Sequence, residues 1–210
     1  MDGNSSAKIS AIVLAAGSSR RFGADNKLLA QLAGRPLIAW SVAAFAASRV
    51  SEIVVVTGPD REAIEAALAG ERVRFVHNPD HLSGMGGSVA TGASAIGNTS
   101  DGVMIAPGDM PGLTSEHINQ LIAAFETSGK TKIVRPQLPD GAPGHPVLWP
   151  AKLLPRLSAL GGPEGGKQLL ADLAADVVAI AVADQGAALD VDTTSDLEAT
   201  RRLMRDTHGS

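Results

Sequence analysis

Short apolar runs alternate with stretches of helical spacing through the first 125 residues, and few folds accommodate that order. Ile9 to Leu14 reads as a buried strand, and Pro36 to Ala47 has helical spacing through Leu37, Trp40, Ala44 and Phe45. Strand Glu52 to Thr57 precedes helix Asp60 to Leu68, strand Val73 to His77 precedes helix Ser88 to Ile96, and strand Gly102 to Ala106 precedes helix Ser115 to Phe125. Such an alternation predicts an α/β fold with a Rossmann-like, doubly wound, mostly parallel sheet, covered on both faces and joined by right-handed crossovers. After Ile133 the pattern loosens into a Pro/Gly-rich stretch, Pro136 to Pro150, followed by helix candidates around Leu153 and Gln168. Strand Val177 to Val182 and an amphipathic helix, Ser195 to Met204, are expected to close the domain. With no linker or internal repeat in view, residues 1–210 are expected to form one domain.

Composition removes several functional classes. Aromatic residues make up 3% of the chain, and the formal charge is −4. A surface that stacks bases on aromatic rings or tracks nucleic-acid phosphates is therefore not expected. Cysteine is absent, so disulfides, thiolate nucleophiles and zinc-thiolate or iron–sulfur sites are excluded. The apolar run Ile9 to Ala16 is too short for a secretory core or a membrane span, and a cytoplasmic protein is expected.

In open α/β sheets, ligands bind outside the carboxyl ends of the strands, which gives weight to four clusters: Ala15 to Lys27, Asn78 to Ser88, Pro107 to Pro111, and Asp190 to Asp192. The first joins small residues, hydroxyls and cations directly after a strand. Gly17 lets backbone N–H groups approach an anion, while Arg20 or Arg21 and Lys27 offset a polyphosphate's charge. This is not a Walker A loop, because Lys27 is followed by Leu28, and it is not G-x-G-x-x-G. Taken alone, it is equally well read as a solvated surface loop.

Asp109 stands in a turn stiffened by Pro107 and Pro111, and Asp190 and Asp192 share a side if their segment is extended. Magnesium takes oxygen ligands, typically one or two carboxylates together with substrate phosphates, and Asp109 with Asp192 meets that need. Each aspartate also reads as a turn former or cap, and for Asp192 alone capping of the helix near Thr194 is the better reading. Their shared location at strand ends favours the pair.

Four motifs in order then resemble the molybdenum cofactor nucleotidyltransferases, and among them the cytidylyltransferase branch. Leu14-Ala15-Ala16-Gly17 with Arg21, Gly23 and Lys27 is similar to the opening signature, and Gly108-Asp109-Met110-Pro111 to the metal motif. Gly144-His145-Pro146 and Asp190-Val191-Asp192-Thr193 are similar to the two later ones. The resemblance implies a nucleotide-diphospho-sugar transferase-like fold, CTP or GTP as donor, Mg²⁺, and a molybdopterin-type phosphorylated acceptor. The product would pass to a molybdoenzyme or its chaperone. It also implies that Lys27, Asp109 and Arg21 carry catalysis, with Asp109 and Asp192 on the metal. Leu14, Ala15, Ala16, Gly17, Arg20, Lys27, Pro107 and Gly108 would hold the nucleotide, with Asn78, Gly87 and Ser88 framing base and ribose. Guanylyltransferases tend to carry a second glycine where Ala16 stands, which favours CTP. The stretch Gly161 to Lys167 departs from the family pattern and is placed to face the second substrate.

Other residues read as structural. His145 lies in a proline-rich turn; His77 and His81 are not expected to share a helix, because Asn78 and Pro79 intervene. Trp40 and Phe45 read as core, and Lys167 as solvated or as a phosphate ligand. Three alternatives keep a place: a sugar-phosphate nucleotidyltransferase, a nicotinamide-dependent dehydrogenase using Asp60, and a cofactor chaperone without turnover.

Overall fold

The computed structural model describes residues 6–17, 26–182, 191 and 195–200. The first strand, β1 (Ile9–Ala15), leads through a short hairpin, β2 (Gln31–Leu32) and β3 (Arg35–Pro36), into α1 (Leu37–Ala46). Then follow β4 (Glu52–Thr57), α2 (Arg61–Ala67), β5 (Arg74–His77), α3 (Met85–Ala95), β6 (Gly102–Pro107) and α4 (Ser115–Thr127). The remainder comprises β7 (Ile133–Gln137), β8 (Val147–Pro150), α5 (Leu154–Ser158), α6 (Lys167–Asp172) and β9 (Val177–Ala181), with residues 195–200 helical.

Seven strands form one sheet in the order β5-β4-β1-β6-β8-β7-β9. Every neighbouring pair is parallel except those made by β8, which runs antiparallel to both β6 and β7. The expected doubly wound, mostly parallel sheet is therefore present. Central strands buried on both faces explain why β1 carries no charge and β4 carries one only at its half-buried first residue, Glu52. Ile9, Ala11, Val13 and Ala15 of β1 face a layer holding Phe45, Ile64 and Phe125 from α1, α2 and α4. Ile12 faces the opposite layer, with Val89 of α3, Leu157 of α5 and Trp149 of β8. Among the described residues no helix is long and apolar enough to cross a membrane.

Three segments differ from the sequence expectation. The loop of about twenty residues after β1 contains the β2–β3 hairpin and a 3-10 turn, Lys27–Leu29. The Pro/Gly-rich stretch supplies two strands, β7 and β8, whose prolines Pro136 and Pro150 fall at or next to strand ends. Helix α3 begins at Met85, so that Gly86 and Gly87 are helical despite their poor propensity. Tertiary contact accounts for this. A Cβ on Gly86 would lie 2.3 Å from the Gly161 carbonyl oxygen, and Gly86 N–H donates to the Gly162 oxygen at 2.9 Å. Gly84, at φ 111°, is equally close to Gly162. The glycines of 84–87 and 161–166 thus form a clasp between the start of α3 and the loop before α6.

The chain proceeds from β1 outward to β4 and β5, then crosses back to β6 on the other side of β1. The carboxyl ends of β1 and β6, neighbours in the sheet, therefore lie at the topological switch point, the place where open α/β sheets bind ligands in a crevice. Leu14-Ala15-Ala16-Gly17 and Pro107-Gly108-Asp109 both leave the sheet there.

Candidate functional site

Asp109 is the fixed point of this crevice. It is 7% exposed, and the backbone on both sides of it is held by a single hydroxyl. Ser41, fully buried on α1, donates to the Gly108 carbonyl at 3.0 Å and accepts from Met110 N–H at 3.0 Å. Gly108 N–H in turn donates to the Leu14 carbonyl at 3.0 Å, and a Cβ on Gly108 would meet that oxygen at 3.1 Å. The β1 exit and the β6 exit are thus stitched together residue to residue. Ala15 and Ala16 are buried, with Ala16 packed under Gly58, whereas Gly17 is exposed and a Cβ there would meet nothing. Among the described residues nothing crowds Gly17, the kind of position from which backbone N–H groups reach a ligand.

Lys27 pairs with Asp109 through Nζ and Oδ2. The lysine is aimed by its own turn: Asn26 accepts from Leu28 N–H through Oδ1 at 3.0 Å and donates from Nδ2 to Asp60 at 2.8 Å. The other carboxylate oxygen, Asp109 Oδ1, is buried and has no hydrogen-bond partner among the described residues. A buried acceptor without a partner costs about 1–3 kcal/mol, more when charged, so this oxygen is fitted to receive a cation or a donor that arrives with a ligand. The Asp109 carbonyl is held by Val191, whose N–H donates to it at 3.2 Å and whose side chain is buried with Leu32, Leu37 and Leu197.

The predicted base-framing segment is folded inward. Asn78 is buried, donating to Ser88 Oγ at 3.1 Å and accepting from Asp80 N–H at 3.1 Å, while its own N–H donates to the Thr57 carbonyl at 2.8 Å. Gly87 lies against this turn, where a Cβ would sit 2.8 Å from Ser83 Oγ. Asn78, Gly87 and Ser88 therefore shape the loop, and the large apolar side chains it leaves facing solvent are Leu82 and Met85, 71% and 51% exposed.

On the far side of Asp109, His145 precedes β8. Between the pairs Val134–Leu148 and Gln137–Pro143, three steps along β7 face five along the opposite segment. A bulge of this kind re-aims the side chain it carries, here His145. The ring is open to solvent at its surface but crowded by protein, and loss of hydration pushes its pKa below 6.5. Asp109 opposes that shift, whereas Lys167 and Arg135 reinforce it, which puts all three charges within electrostatic reach of one ring.

Arg20, Arg21, Asp190 and Asp192 lie outside the described residues. Among the described residues no group of three His, Asp or Glu side chains is placed to hold a metal ion. Two contributors escaped the sequence reading. Ser41 was detectable as the lone polar residue in an otherwise apolar helical segment, Leu-Ile-Ala-Trp-Ser-Val-Ala-Ala-Phe-Ala. Arg135 had no signal beyond being a charge inside an apolar strand. Asp60, the residue that kept a dehydrogenase in play, is engaged with Asn26.

The MobA-like NTP transferase domain matches residues 11–178. Nicotine blue oxidoreductase of Paenarthrobacter nicotinovorans is 28% identical, over 90% of this chain and 94% of that protein. Purine catabolism protein PucB of Bacillus subtilis is 30% identical, over 92% of this chain and 96% of that one. Bifunctional GlmU proteins also match, but the chain spans only 28% of the length of that from Sorangium cellulosum, at 36% identity. Among solved structures, the Rv0371c homologue of Mycobacterium sp. strain JC1 superposes with a TM-score of 0.80 at 25% identity, covering 93% and 98% of the two chains. The manganese complex of Rv0371C from Mycobacterium tuberculosis gives 0.74 at 21% identity, covering 93% and 98%.

The crowding of His145 has a measurable sign. Its folded pKa lies below its unfolded value, so between the two the unfolded chain binds more protons. Stability of the metal-free protein should fall as pH drops from 6.5 through the folded pKa and change no further from this group below it. NMR titration of the ring should show a midpoint below 6.5, and His145→Gln should flatten the stability slope in that window; a midpoint at or above 6.5 contradicts the assignment.

Proposed function

Because this chain belongs to the MobA-like NTP transferase domain family, we infer that it transfers a nucleoside monophosphate from a nucleoside triphosphate to a phosphorylated acceptor and releases pyrophosphate. The reading extends to CTP as donor and a molybdopterin-type phosphate as acceptor, with residues 1–210 acting as one nucleotidyltransferase domain. The observation that carries it is Asp109: a buried carboxylate at the switch point, paired with Lys27 on one oxygen and without a partner on the other.

In this reading Leu14 to Gly17, Arg20, Arg21, Lys27, Pro107 and Gly108 receive the triphosphate. Asn78, Gly87 and Ser88 frame the nucleoside. Asp109 and Asp192 would hold Mg²⁺, which supplies charge neutralisation at the phosphates when bound. The bond from Val191 to the Asp109 carbonyl supports that pairing, since Val191 is the immediate chain neighbour of Asp192. The manganese in the Rv0371C structure accords with a divalent ion in this fold. Lys27 satisfies Asp109 before substrate arrives and turns to the phosphates afterwards. Charge is then never left bare in the crevice, which avoids the penalty of several kcal/mol for an unpaired buried ion. A phosphomonoester dianion attacks without a general base, so positioning and charge complementarity suffice.

Nicotine blue oxidoreductase carries a redox name, but a dinucleotide reading finds no G-x-G-x-x-G here, and Asp60 is tied to Asn26 rather than open to a ribose.

Pyrophosphate release with CTP, GTP, ATP and UTP tests the reading. Magnesium-dependent turnover should be highest with CTP and fall at least about a hundredfold in Asp109→Ala; equal turnover in that variant contradicts it. Ala16→Gly should move the CTP-to-GTP ratio toward GTP, and an unchanged ratio removes the role given to that methyl.

A further inference from the structure

Arg135 is a charged residue whose partial burial the fold leaves unexplained. It lies on β7, between β8 and β9, and follows Val134 and Ile133, which are fully buried. Its Nε is sealed from water and has no hydrogen-bond partner among the described residues. Among the described residues no carboxylate forms an ion pair with Arg135 or with Lys167. Asp109, the acidic group whose field reaches this corner, is already paired with Lys27. Burying part of a guanidinium without a counter-charge is costly, and a protein gains nothing in stability by keeping it.

The surroundings are built rather than accidental. The Gly144-His145-Pro146 bulge is tied to β7 by Gly144 N–H, which donates to the Pro136 carbonyl at 3.0 Å, setting His145 beside the strand that carries Arg135. Gly166 sits so close to Trp149 of β8 that a Cβ would meet the indole at 3.1 Å, which brings the start of α6, and so Lys167, over the same sheet face. The glycine clasp fixes the other end of that loop to α3.

We propose that Arg135, His145 and Lys167 form the binding site for the phosphomonoester of the acceptor, on the side of Asp109 away from the triphosphate loop. The inference rests on the nucleotidyl-transfer reading and adds to it the place and the charge of the second substrate. Arg135 offers a planar fork suited to two phosphate oxygens, Lys167 a mobile point charge, and the neutral imidazole of His145 a hydrogen bond. Two cations match a phosphomonoester dianion. An uncharged hydroxyl acceptor would leave both cations unmatched. Held there, an acceptor phosphate oxygen forms a bond to the α-phosphorus of the nucleotide. The bond from that phosphorus to the bridging oxygen breaks, and its electron pair departs with pyrophosphate.

The test uses inorganic phosphate as probe, titrated by calorimetry into the full-length protein saturated with Mg²⁺ and α,β-methylene-CTP, so that the triphosphate loop is already filled. Saturable phosphate binding is expected, weakened at least about tenfold in Arg135→Met and in Lys167→Gln, with affinity for the nucleotide analogue kept within about twofold. Arg135→Met should also melt at a higher temperature than the wild type in phosphate-free buffer and lose the rise in Tm that phosphate gives the wild type. A purely structural arginine would do the opposite. Unchanged phosphate affinity in both variants, or no phosphate binding by a protein that holds the nucleotide analogue, overturns the site. If Arg135→Met does not fold, the exposed Lys167→Gln decides alone. Failure of the wild type to bind the nucleotide analogue overturns the nucleotidyl-transfer reading itself, and the acceptor site with it.

Discussion

The pairing of Lys27 with a carboxylate that is almost wholly out of water is the interaction on which the rest of this structure turns. Asp109 is there because β6 ends at the switch point, and it is immobile because Ser41 grips the peptide groups on both sides of it. Each of those grips is a neutral hydrogen bond worth about 0.5–1.5 kcal/mol in net stability, but leaving either peptide group buried and unpaired costs more. A lone Ser on an otherwise apolar helix thereby fixes the position of a charge 68 residues later in the chain. The lysine answers one oxygen, and no described residue answers the other.

Much of this was legible in the sequence, for physical reasons that vary by segment. β1, β4 and β6 are continuous apolar runs between turn residues, and a strand buried on both faces has no other appearance. Gly108-Asp109-Met110-Pro111 stood out because it follows an apolar strand in a turn stiffened by Pro107 and Pro111. The second half of the sheet was obscured by Pro136, Pro146 and Pro150, which usually argue against strands but here sit where a ladder ends or bulges. The start of α3 was hidden by three glycines, Gly84, Gly86 and Gly87. Local propensity argues against a helix there, and only the close approach of Gly161 and Gly162 makes it favourable. Arg135 could not be recognised in advance, because its meaning lies in the absence of a partner.

The crevice divides by electrostatics. On one side, an exposed glycine and a lysine-bearing turn follow β1; on the other, an arginine, a lysine and an imidazole held below its usual pKa surround the β8 bulge. Asp109 lies between them, influencing both. Such a division suits two anionic substrates that must be brought together against their mutual repulsion, which preorganised charges accomplish without reorganising solvent during the reaction. The chain is similar to relatives with names as different as purine catabolism protein PucB, nicotine blue oxidoreductase and GlmU. In the proposed reading, the β7–β8 side receives the acceptor, apart from the β1–β6 seam.

Binding of Mn²⁺ followed by electron paramagnetic resonance, with and without α,β-methylene-CTP, tests the central claim most directly. The account predicts one tightly held ion in the nucleotide-loaded protein, lost in Asp109→Asn and equally in Asp192→Asn, with the metal-free fold of both variants intact. Retention of the ion in either variant at the wild-type affinity would contradict it.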